Sequence, residues 1–274
     1  MKRREFLKTT MAASALAGLN TPSPSQAADS SGGSREYYEL RVYHLKSGAG
    51  HALLDGFLEK AAIPAWNRVG AKNVGVFIQK ERTGPATDTE VRDPDAVWVL
   101  VPYPSLSAFA EATNQLAGDS ELQKAGAEYL QTPKNQPGFE RIDSWLMLAF
   151  AGMPRLELAA YSREKKTRMF ELRTYESHSE VKALKKVEMF NSGEIETMRQ
   201  VGLSPVFYGQ ALIGKNLPHL TYMVSAENED EHKKHWGDFG KHPVWNKLKN
   251  DPQYADTVSK ISNWFLVPTA YSQI

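Results

Sequence analysis

The sequence predicts an α+β fold made of two fused ferredoxin-like units, each with the element order βαββαβ. The first observation is a repeat, because ELRVY at 39–43 returns as ELRTY at 171–175. Both copies also close alike, with Ser-Trp-Leu at 144–146 and Asn-Trp-Phe at 263–265. Each copy is therefore a complete unit of about 110 residues, a normal size for a domain.

The second observation is that the two copies keep their register through a strand and a helix. The spacing that relates the two pentapeptides also relates Ile63 to Ile195 and the Val-Gly pair at 69–70 to the pair at 201–202. The copies have diverged, since Glu196 stands where the first copy has Pro64. A constant offset of this length indicates that one unit was duplicated.

The first unit starts with a strand over 37–43, where apolar and polar residues alternate as in a half-buried strand. Gly48 and Gly50 mark a turn, and helical spacing then predicts a helix that Pro64 kinks and Gly70 ends. The predicted elements of this unit are a helix over 51–69, strands over 74–79 and 96–101, a helix over 105–116 and a strand over 140–149. The second unit repeats this order, with strands over 168–175, 206–213, 220–225 and 261–267 and helices over 181–201 and 229–239.

The N-terminal segment is typical of a twin-arginine export signal. Lys2-Arg3-Arg4-Glu5-Phe6-Leu7-Lys8 precedes a short run of small apolar residues that is too short to span a membrane. The predicted organisation is a signal peptide over 1–28, a flexible N-terminus over 29–35, a first domain over 36–150, a linker over 151–167 and a second domain over 168–274. We therefore expect the twin-arginine machinery as a partner and a periplasmic or extracellular location in a bacterium.

Charge and composition exclude several classes of function. Loss of the first 28 residues removes four basic side chains and one acidic side chain, so the net charge falls from +1 to −2. This balance argues against a nucleic-acid partner. The chain has no cysteine, which excludes disulfides, thiolate metal sites and a cysteine nucleophile. No catalytic triad, phosphate loop or dinucleotide fingerprint is present.

The two strand openings YELRVY and FELRTY, the Pro-rich approach to the second helix and the closing Trp strand resemble the NIPSNAP family. The resemblance covers nearly all of the predicted mature chain. It implies a dimeric α+β barrel, in which two ferredoxin-like sheets face each other, and a tandem chain would build this pseudo-dimer internally. We then expect a monomeric pseudo-dimer or a small homo-oligomer.

In a closed barrel, the polar face of the two ELRxY strands is predicted to face the lumen. This makes Glu39, Arg41, Tyr43, Glu171, Arg173 and Tyr175 the first candidates for binding a small molecule. Trp145 and Trp264 on the closing strands are further lumen candidates, either as packing or as a flat platform for a planar ligand. The alternative is that each Glu and Arg pair only holds the two sheets in register.

Histidines form the second set of candidates. His44 and His178 lie near the predicted barrel mouth, where either could move a proton or ligate a haem. His232 and His235 share one face of a predicted helix and are weak metal candidates, because no third ligand is evident. The sequence itself demands no metal or cofactor, and haem is suggested by fold analogy only.

Several functions remain open at this point. The first is a NIPSNAP-like protein that binds a small apolar or aromatic molecule in the lumen. The second is an interaction or scaffold protein with a packed barrel. The third is a cofactor-free or haem-dependent oxidoreductase, since relatives of this barrel fold include such enzymes. A hollow lumen would favour the first, and large side chains that fill it would favour the second.

Overall fold

The computed structural model of the chain describes residues 34–46, 51–81 and 86–274. The predicted signal peptide, most of the predicted flexible N-terminus and the turn glycines Gly48 and Gly50 lie outside these residues. The domain boundaries proposed from the sequence stay a prediction. None of the described helices has the length and hydropathy that crossing a membrane requires.

Eight antiparallel strands form a closed barrel. The strands of the first repeat are β1 (Tyr37–His44), β2 (Gly75–Gln79), β3 (Ala96–Tyr103) and β4 (Arg141–Ala149), and those of the second are β5 (Met169–Glu176), β6 (Ser204–Ile213), β7 (His219–Ala226) and β8 (Lys260–Pro268). The order around the barrel is β1-β3-β2-β8-β5-β7-β6-β4. Each repeat thus supplies one four-stranded ferredoxin-like sheet, and the predicted fold class is confirmed.

The two sheets join along two seams, so neither sheet has a free edge. At one seam β2 pairs with β8, where Ile78 lies opposite Val267. At the other seam β4 pairs with β6, where Leu148 lies opposite Gln210. These seams relate the repeats by a pseudo-twofold axis, because the second strand of each repeat meets the fourth strand of the other.

Short helices pack on the outside of the sheets. The first repeat contains α1 (Ala52–Phe57), α2 (Ile63–Arg68), α3 (Leu106–Ala117), α4 (Ser120–Ala125) and α5 (Ala127–Leu130); α6 (Ala160–Arg163) lies in the connection; and the second repeat contains α7 (Glu180–Met189), α8 (Ile195–Gln200), α9 (Glu229–Lys241) and α10 (Pro243–Lys249). The sequence predicted the long helices and missed α4, α5, α6 and α10, which are only four to seven residues long.

A π-helical turn interrupts the first long helix of each repeat at the same place. Leu58–Ala62 joins α1 to α2, and Phe190–Glu194 joins α7 to α8. The helix continues through Pro64, which stands in the first turn of α2, where a missing backbone N–H is tolerated. The second repeat has the same turn without the proline, and its Gly193 adopts φ 139°. Gly70 and Gly202, both at positive φ, follow the ends of these helices as expected for Gly70.

Both faces of the barrel wall are buried, because alternate residues of a strand point to opposite faces. The lumen is filled by large apolar side chains, among them Tyr38, Leu40, Phe77, Trp98, Phe170, Leu172, Phe207 and Leu266. A second cluster lies between the first sheet and its helices and includes Tyr43, Leu58 and Trp66. A third cluster lies between the second sheet and its helices and includes Tyr175, Phe190 and Tyr222.

Candidate functional site

The six polar candidates on the ELRxY strands face the helices and not the lumen. Tyr43 packs with Trp66 of α2, and Tyr175 packs with Phe190 below α7. Their strand neighbours Leu40 and Leu172 fill the barrel. The predicted lumen position of Glu39, Arg41, Tyr43, Glu171, Arg173 and Tyr175 is therefore wrong. The barrel closes over its apolar face, which leaves the polar face to be covered by helices.

In the second repeat, Glu171 is the centre of a hydrogen-bond network. Its Oε1 accepts from Arg173 Nη1 at 2.6 Å and from Asn263 Nδ2 at 3.0 Å. Its Oε2 accepts from His232 Nε2 at 2.9 Å and from Trp236 Nε1 at 2.8 Å. Four donors thus surround one carboxylate, which satisfies both of its oxygens.

These donors keep Glu171 ionised although it is buried. Burial alone would raise the pKa of the carboxyl, but the charge of Arg173 and the hydrogen bond from His232 outweigh it and lower the pKa to about 2. A carboxylate with so low a pKa is a poor general base. Glu171 therefore positions its donors and supplies a fixed negative charge.

Helix α9 places His232 and Trp236 over Glu171. The two residues are one helical turn apart and share a face of the helix. Asn228 caps this helix, since its Oδ1 accepts from the backbone N–H groups of Asp230 and Glu231. The i, i+4 spacing of His232 and Trp236 is visible in the sequence, but the pair predicted from the sequence was His232 and His235.

The negative charge of Glu171 settles which nitrogen of His232 carries the proton. Nε2 lies 2.9 Å from a carboxylate oxygen, so it donates its proton there. Trp236 Nε1 lies 3.1 Å from His232 Nε2, but the two nitrogens do not bond each other, because both donate to Glu171 Oε2. His232 Nδ1 has no hydrogen-bond partner in the described part of the chain, and in the neutral ring it is the nitrogen that carries the lone pair.

Arg173 lies between Glu171 and two aromatic rings. Its Nε donates to the Tyr175 hydroxyl at 3.2 Å, and its guanidinium lies 4.9 Å from the ring centre of Trp236. Burial works against its charge, but the neighbouring Tyr175, Tyr222 and Glu171 raise its pKa well above the ordinary value. Nη2 makes no hydrogen bond to any described residue. The side chain is 16% exposed, so part of it is open to solvent.

These residues line a cleft of about 370 Å³ between the second sheet and α9, which we call the β5–α9 cleft. Glu171 and Arg173 form its floor with Asn263 and Phe265 of β8. His232, Trp236, Glu229 and Lys233 of α9 form one wall, and Thr87 and Thr89 form another. The cleft combines apolar rings with a few fixed polar groups, which is the usual composition of a small-molecule site.

The Thr87–Thr89 wall comes from the other repeat, in the connection between β2 and β3. This segment is fixed against β8, because Asn263 N donates to Thr89 O at 2.8 Å and Val91 N donates to Asn263 O at 2.9 Å. Both repeats therefore contribute to the β5–α9 cleft.

The first repeat has the same carboxylate network with a different cover. Glu39 accepts two hydrogen bonds from Arg41, at 2.7 and 3.0 Å, one from Ser144 and one from Tyr103. The guanidinium of Arg41 lies over Trp66 of α2 at 5.2 Å. Phe109 stands four residues after the cap Ser105, as His232 stands four residues after Asn228. Phe109 packs against Tyr103, and the Tyr103 hydroxyl donates to Glu39, as His232 and Trp236 donate to Glu171 in the second repeat.

Trp145 and Trp264 lie on the lumen side of the wall, as predicted. Both pack against Trp98, with ring centres 6.4 and 5.1 Å away. A hollow lumen would have favoured a binding role, but the described part of the lumen core is filled with side chains. Whether any of the predicted residues binds a ligand stays a prediction.

The remaining histidine candidates have separate surroundings. His44 contacts Asp143 through Nε2 at 2.9 Å and Asp93 through Nδ1 at 3.3 Å, so both ring nitrogens face carboxylates. His178 is exposed. These surroundings do not fit an axial haem ligand, which needs a free ring nitrogen in an enclosed apolar pocket.

His232 and His235 diverge despite their spacing. His232 is held by Glu171, while His235 Nε2 lies 3.3 Å from Glu231 and packs against Gly202. Over residues 34–46, 51–81 and 86–274, no three metal-ligating side chains converge on one point.

Residues 170–273 match the NIPSNAP family model. This range runs from the second residue of β5 past the end of β8, and it contains the carboxylate network and α9. No curated protein matches the sequence of the chain.

Solved structures match the barrel as a whole. A proposed monooxygenase from Lactobacillus acidophilus is 10% identical, with a TM-score of 0.56, over 85% of this chain and 94% of its own. A second, from Fusobacterium nucleatum, is 10% identical, with a TM-score of 0.52, over 86% of this chain and 93% of its own. A NIPSNAP-like domain protein from Burkholderia xenovorans is 19% identical, with a TM-score of 0.35, over 38% of this chain and 88% of its own. The second repeat thus matches the NIPSNAP family model, and about 85% of the chain shares the α+β barrel fold of the two proposed monooxygenases.

Proposed function

We propose that the protein binds a small aromatic or apolar carboxylate in the β5–α9 cleft. The observation that carries this proposal is Arg173, a fixed cation in the floor of the cleft with an unused Nη2. A guanidinium offers paired donors to a planar anion, so it suits a carboxylate better than a lysine does. Glu171 and Tyr175 hold the side chain in place before any ligand arrives, which reduces the entropy lost on binding.

The walls of the cleft favour a ligand with an apolar ring. Trp236 and Phe265 both line the cleft. Phe265 is buried, and its ring meets the edge of the His232 imidazole at 5.5 Å. Flat apolar walls beside one fixed cation match an aromatic ring with one anionic group.

Acid–base chemistry on the bound molecule is the second candidate function. His232 Nε2 is paired with a carboxylate, and Nδ1 is available as an acceptor, which is how an imidazole is prepared to take a proton. The likeness to proposed monooxygenases supports only the fold, so the reaction remains open. An interaction role is the third candidate, since the filled lumen meets the criterion for a packed barrel.

The binding proposal is tested by calorimetric titration with 2-naphthoate and phenylacetate. We expect Arg173→Gln to weaken binding by at least tenfold, because it removes a charge-assisted contact. Arg41→Gln is the matched control, because Arg41 occupies in β1 the position that Arg173 occupies in β5. Arg41 pairs with Glu39 as Arg173 pairs with Glu171, but it lies over Trp66 of α2 and not in the β5–α9 cleft. Equal losses in both variants, or no binding by the unmodified protein at millimolar ligand, would contradict the proposal.

His232→Phe separates binding from proton transfer, because phenylalanine keeps an aromatic ring in the wall of the cleft and has no nitrogen that can take a proton. If His232 only shapes the cleft, 2-naphthoate affinity should change little. If it accepts a proton from the ligand, binding of a phenol such as 2-naphthol should lose its dependence on pH in this variant.

We also propose export by the twin-arginine route, supported by the sequence Arg3-Arg4-Glu5-Phe6-Leu7-Lys8 and the short apolar run after it. Cell fractionation tests this proposal. The protein should be found in the periplasmic fraction, and Arg3→Lys with Arg4→Lys should retain it in the cytoplasm. An unchanged distribution would contradict the assignment.

A further inference from the structure

A separate cavity of about 250 Å³ lies at one open end of the barrel lumen, and we call it the lumen-mouth cavity. Thr174 of β5 and Ser262 and Trp264 of β8 belong to the inner face of the second sheet, and Trp145 of β4 belongs to that of the first. The loop from β6 to β7 adds Lys215 and Asn216. The cavity is on the opposite side of the wall from the β5–α9 cleft and shares no lining residue with it.

Aromatic surface is the main feature of the lumen-mouth cavity. Trp145 and Trp264 are half-buried, while Trp98 behind them is buried. The rings of Trp98 and Trp145 are nearly parallel, at 7°. Two supported indoles that keep part of their surface uncovered form a platform on which a planar molecule can stack.

Gly214 fixes the position of Trp145. A Cβ at residue 214 would lie 2.3 Å from Trp145 Cδ1, and the residue adopts φ +154°. The loop can cross the indole this closely only because position 214 has no side chain.

Buried polar atoms complete the wall. His219 lines the cavity and is 3% exposed, and its Nε2 makes no hydrogen bond of ordinary geometry to a described residue, although the backbone of Lys215 and Leu220 lies near the ring. Thr221 lies 3.3 Å from His219 Nδ1 and 2.9 Å from Thr174 Oγ1. Burial lowers the pKa of His219, so the ring is neutral at pH 7. An unpaired buried polar atom is costly unless a ligand or water pairs with it.

The charges at the mouth are already matched. Lys215 Nζ lies 2.6 Å from Asp143 Oδ1, and Lys260 Nζ lies 3.5 Å from Glu176 Oε1. A ligand here meets paired charges at the rim and neutral polar atoms within. This favours an uncharged molecule over an anion or a cation.

We propose that the lumen-mouth cavity binds an uncharged, planar, bicyclic heteroaromatic molecule, which stacks on Trp145 and Trp264 and pairs a polar edge with His219. The bicyclic size follows from the cavity volume, and the polar edge follows from the unpaired Nε2. This site is independent of the proposed carboxylate site.

The probe for this proposal is quinolin-2(1H)-one, which is uncharged, planar and bicyclic and carries one donor and one acceptor. Calorimetric titration should show binding by the full-length mature protein. Trp264→Leu should weaken it by about tenfold, because the stacking surface is lost. Gly214→Ala should also weaken it, because the new methyl group displaces the indole of Trp145.

One control separates this site from the other one. Arg173→Gln should leave quinolinone binding unchanged, because Arg173 lies on the opposite side of the barrel wall. Circular dichroism verifies the fold of each variant, and Trp264→Phe, which keeps a ring, replaces Trp264→Leu if that variant does not fold. Absence of binding at millimolar probe, unchanged affinity in the Trp264 and Gly214 variants, or loss of binding in Arg173→Gln would each overturn the proposal.

Discussion

The substitution Glu171→Gln tests whether the buried carboxylate network stabilises the fold. Glutamine has nearly the shape of glutamate, but it carries no charge and has only one acceptor oxygen. Two donors bond each oxygen of Glu171: Arg173 and Asn263 bond one, and His232 and Trp236 bond the other. In the variant, one of these two pairs of donors would face an NH₂ group, which is itself a donor. We expect the variant to fold and to be clearly less stable than the parent protein at pH 7.

The magnitude follows from the lowered pKa of Glu171. A fall from the ordinary value of 4.5 to about 2 corresponds to about 3 kcal/mol of stability at neutral pH. Because the pKa is lower in the folded state, this contribution is complete well above pH 4.5 and is lost as the pH falls through about 2. About 1 kcal/mol should remain at pH 3. Donors that face the amide NH₂ group add to this loss. We expect a total loss in the variant of about 3–5 kcal/mol, the range that is typical when one partner of a buried pair is removed.

Differential scanning calorimetry between pH 7 and pH 3 measures this effect. The variant should melt roughly 6–20 °C below the parent at pH 7, and the gap should narrow towards pH 3. Glu111→Gln, an exposed residue of α3, controls for the loss of one negative charge. A gap under about 2 °C at pH 7, or one that stays constant down to pH 3, would refute the view that donors hold Glu171 ionised.

Two further predictions concern residues near this network. Gly202→Ala should lower the free energy of unfolding by about 1–2 kcal/mol, because a Cβ at φ +86° would lie 2.8 Å from His235 Nε2. Gly237→Ala in α9 is the control, since no heavy atom lies within 4 Å of the new Cβ, and it should raise the free energy of unfolding by about 0.5–1 kcal/mol. Urea unfolding measures both, and equal effects would contradict the reasoning. Lys186→Met should lower the free energy of unfolding by about 3–5 kcal/mol, because it leaves Glu194 buried at 1% exposure without its partner at 2.8 Å. Adding Glu194→Met should recover part of this loss, and a double variant no more stable than the single one would contradict the view that the unpaired carboxylate causes it.

The sequence predicted the strands and long helices because these depend on local periodicity. The alternation in 37–43 and the terminating Gly70 were sufficient to place β1 and the end of α2. Short helices such as α4 and α10 depend on packing against neighbouring elements more than on their own periodicity, and they were missed.

The sequence singled out Glu171 and Arg173 as candidates but placed them on the wrong face of the barrel wall. Strand alternation shows that Glu171 and Arg173 share a face, but it does not show which face the barrel encloses. That choice depends on how the two sheets pair at the β2–β8 and β4–β6 seams, which is information from distant parts of the chain. The contact of His232 and Trp236 with Glu171 is also long-range, so only their common helix face was visible in the sequence.

Joining the two repeats in one chain also frees them from symmetry. In a homodimer every substitution occurs twice, so a residue that fills one site fills its twin. Here Tyr103 donates to one carboxylate while His232 and Trp236 donate to the other, and the connection that carries Thr87 and Thr89 lines the cleft of the opposite half. The two halves of the barrel can therefore carry different donors and different lining residues at corresponding positions.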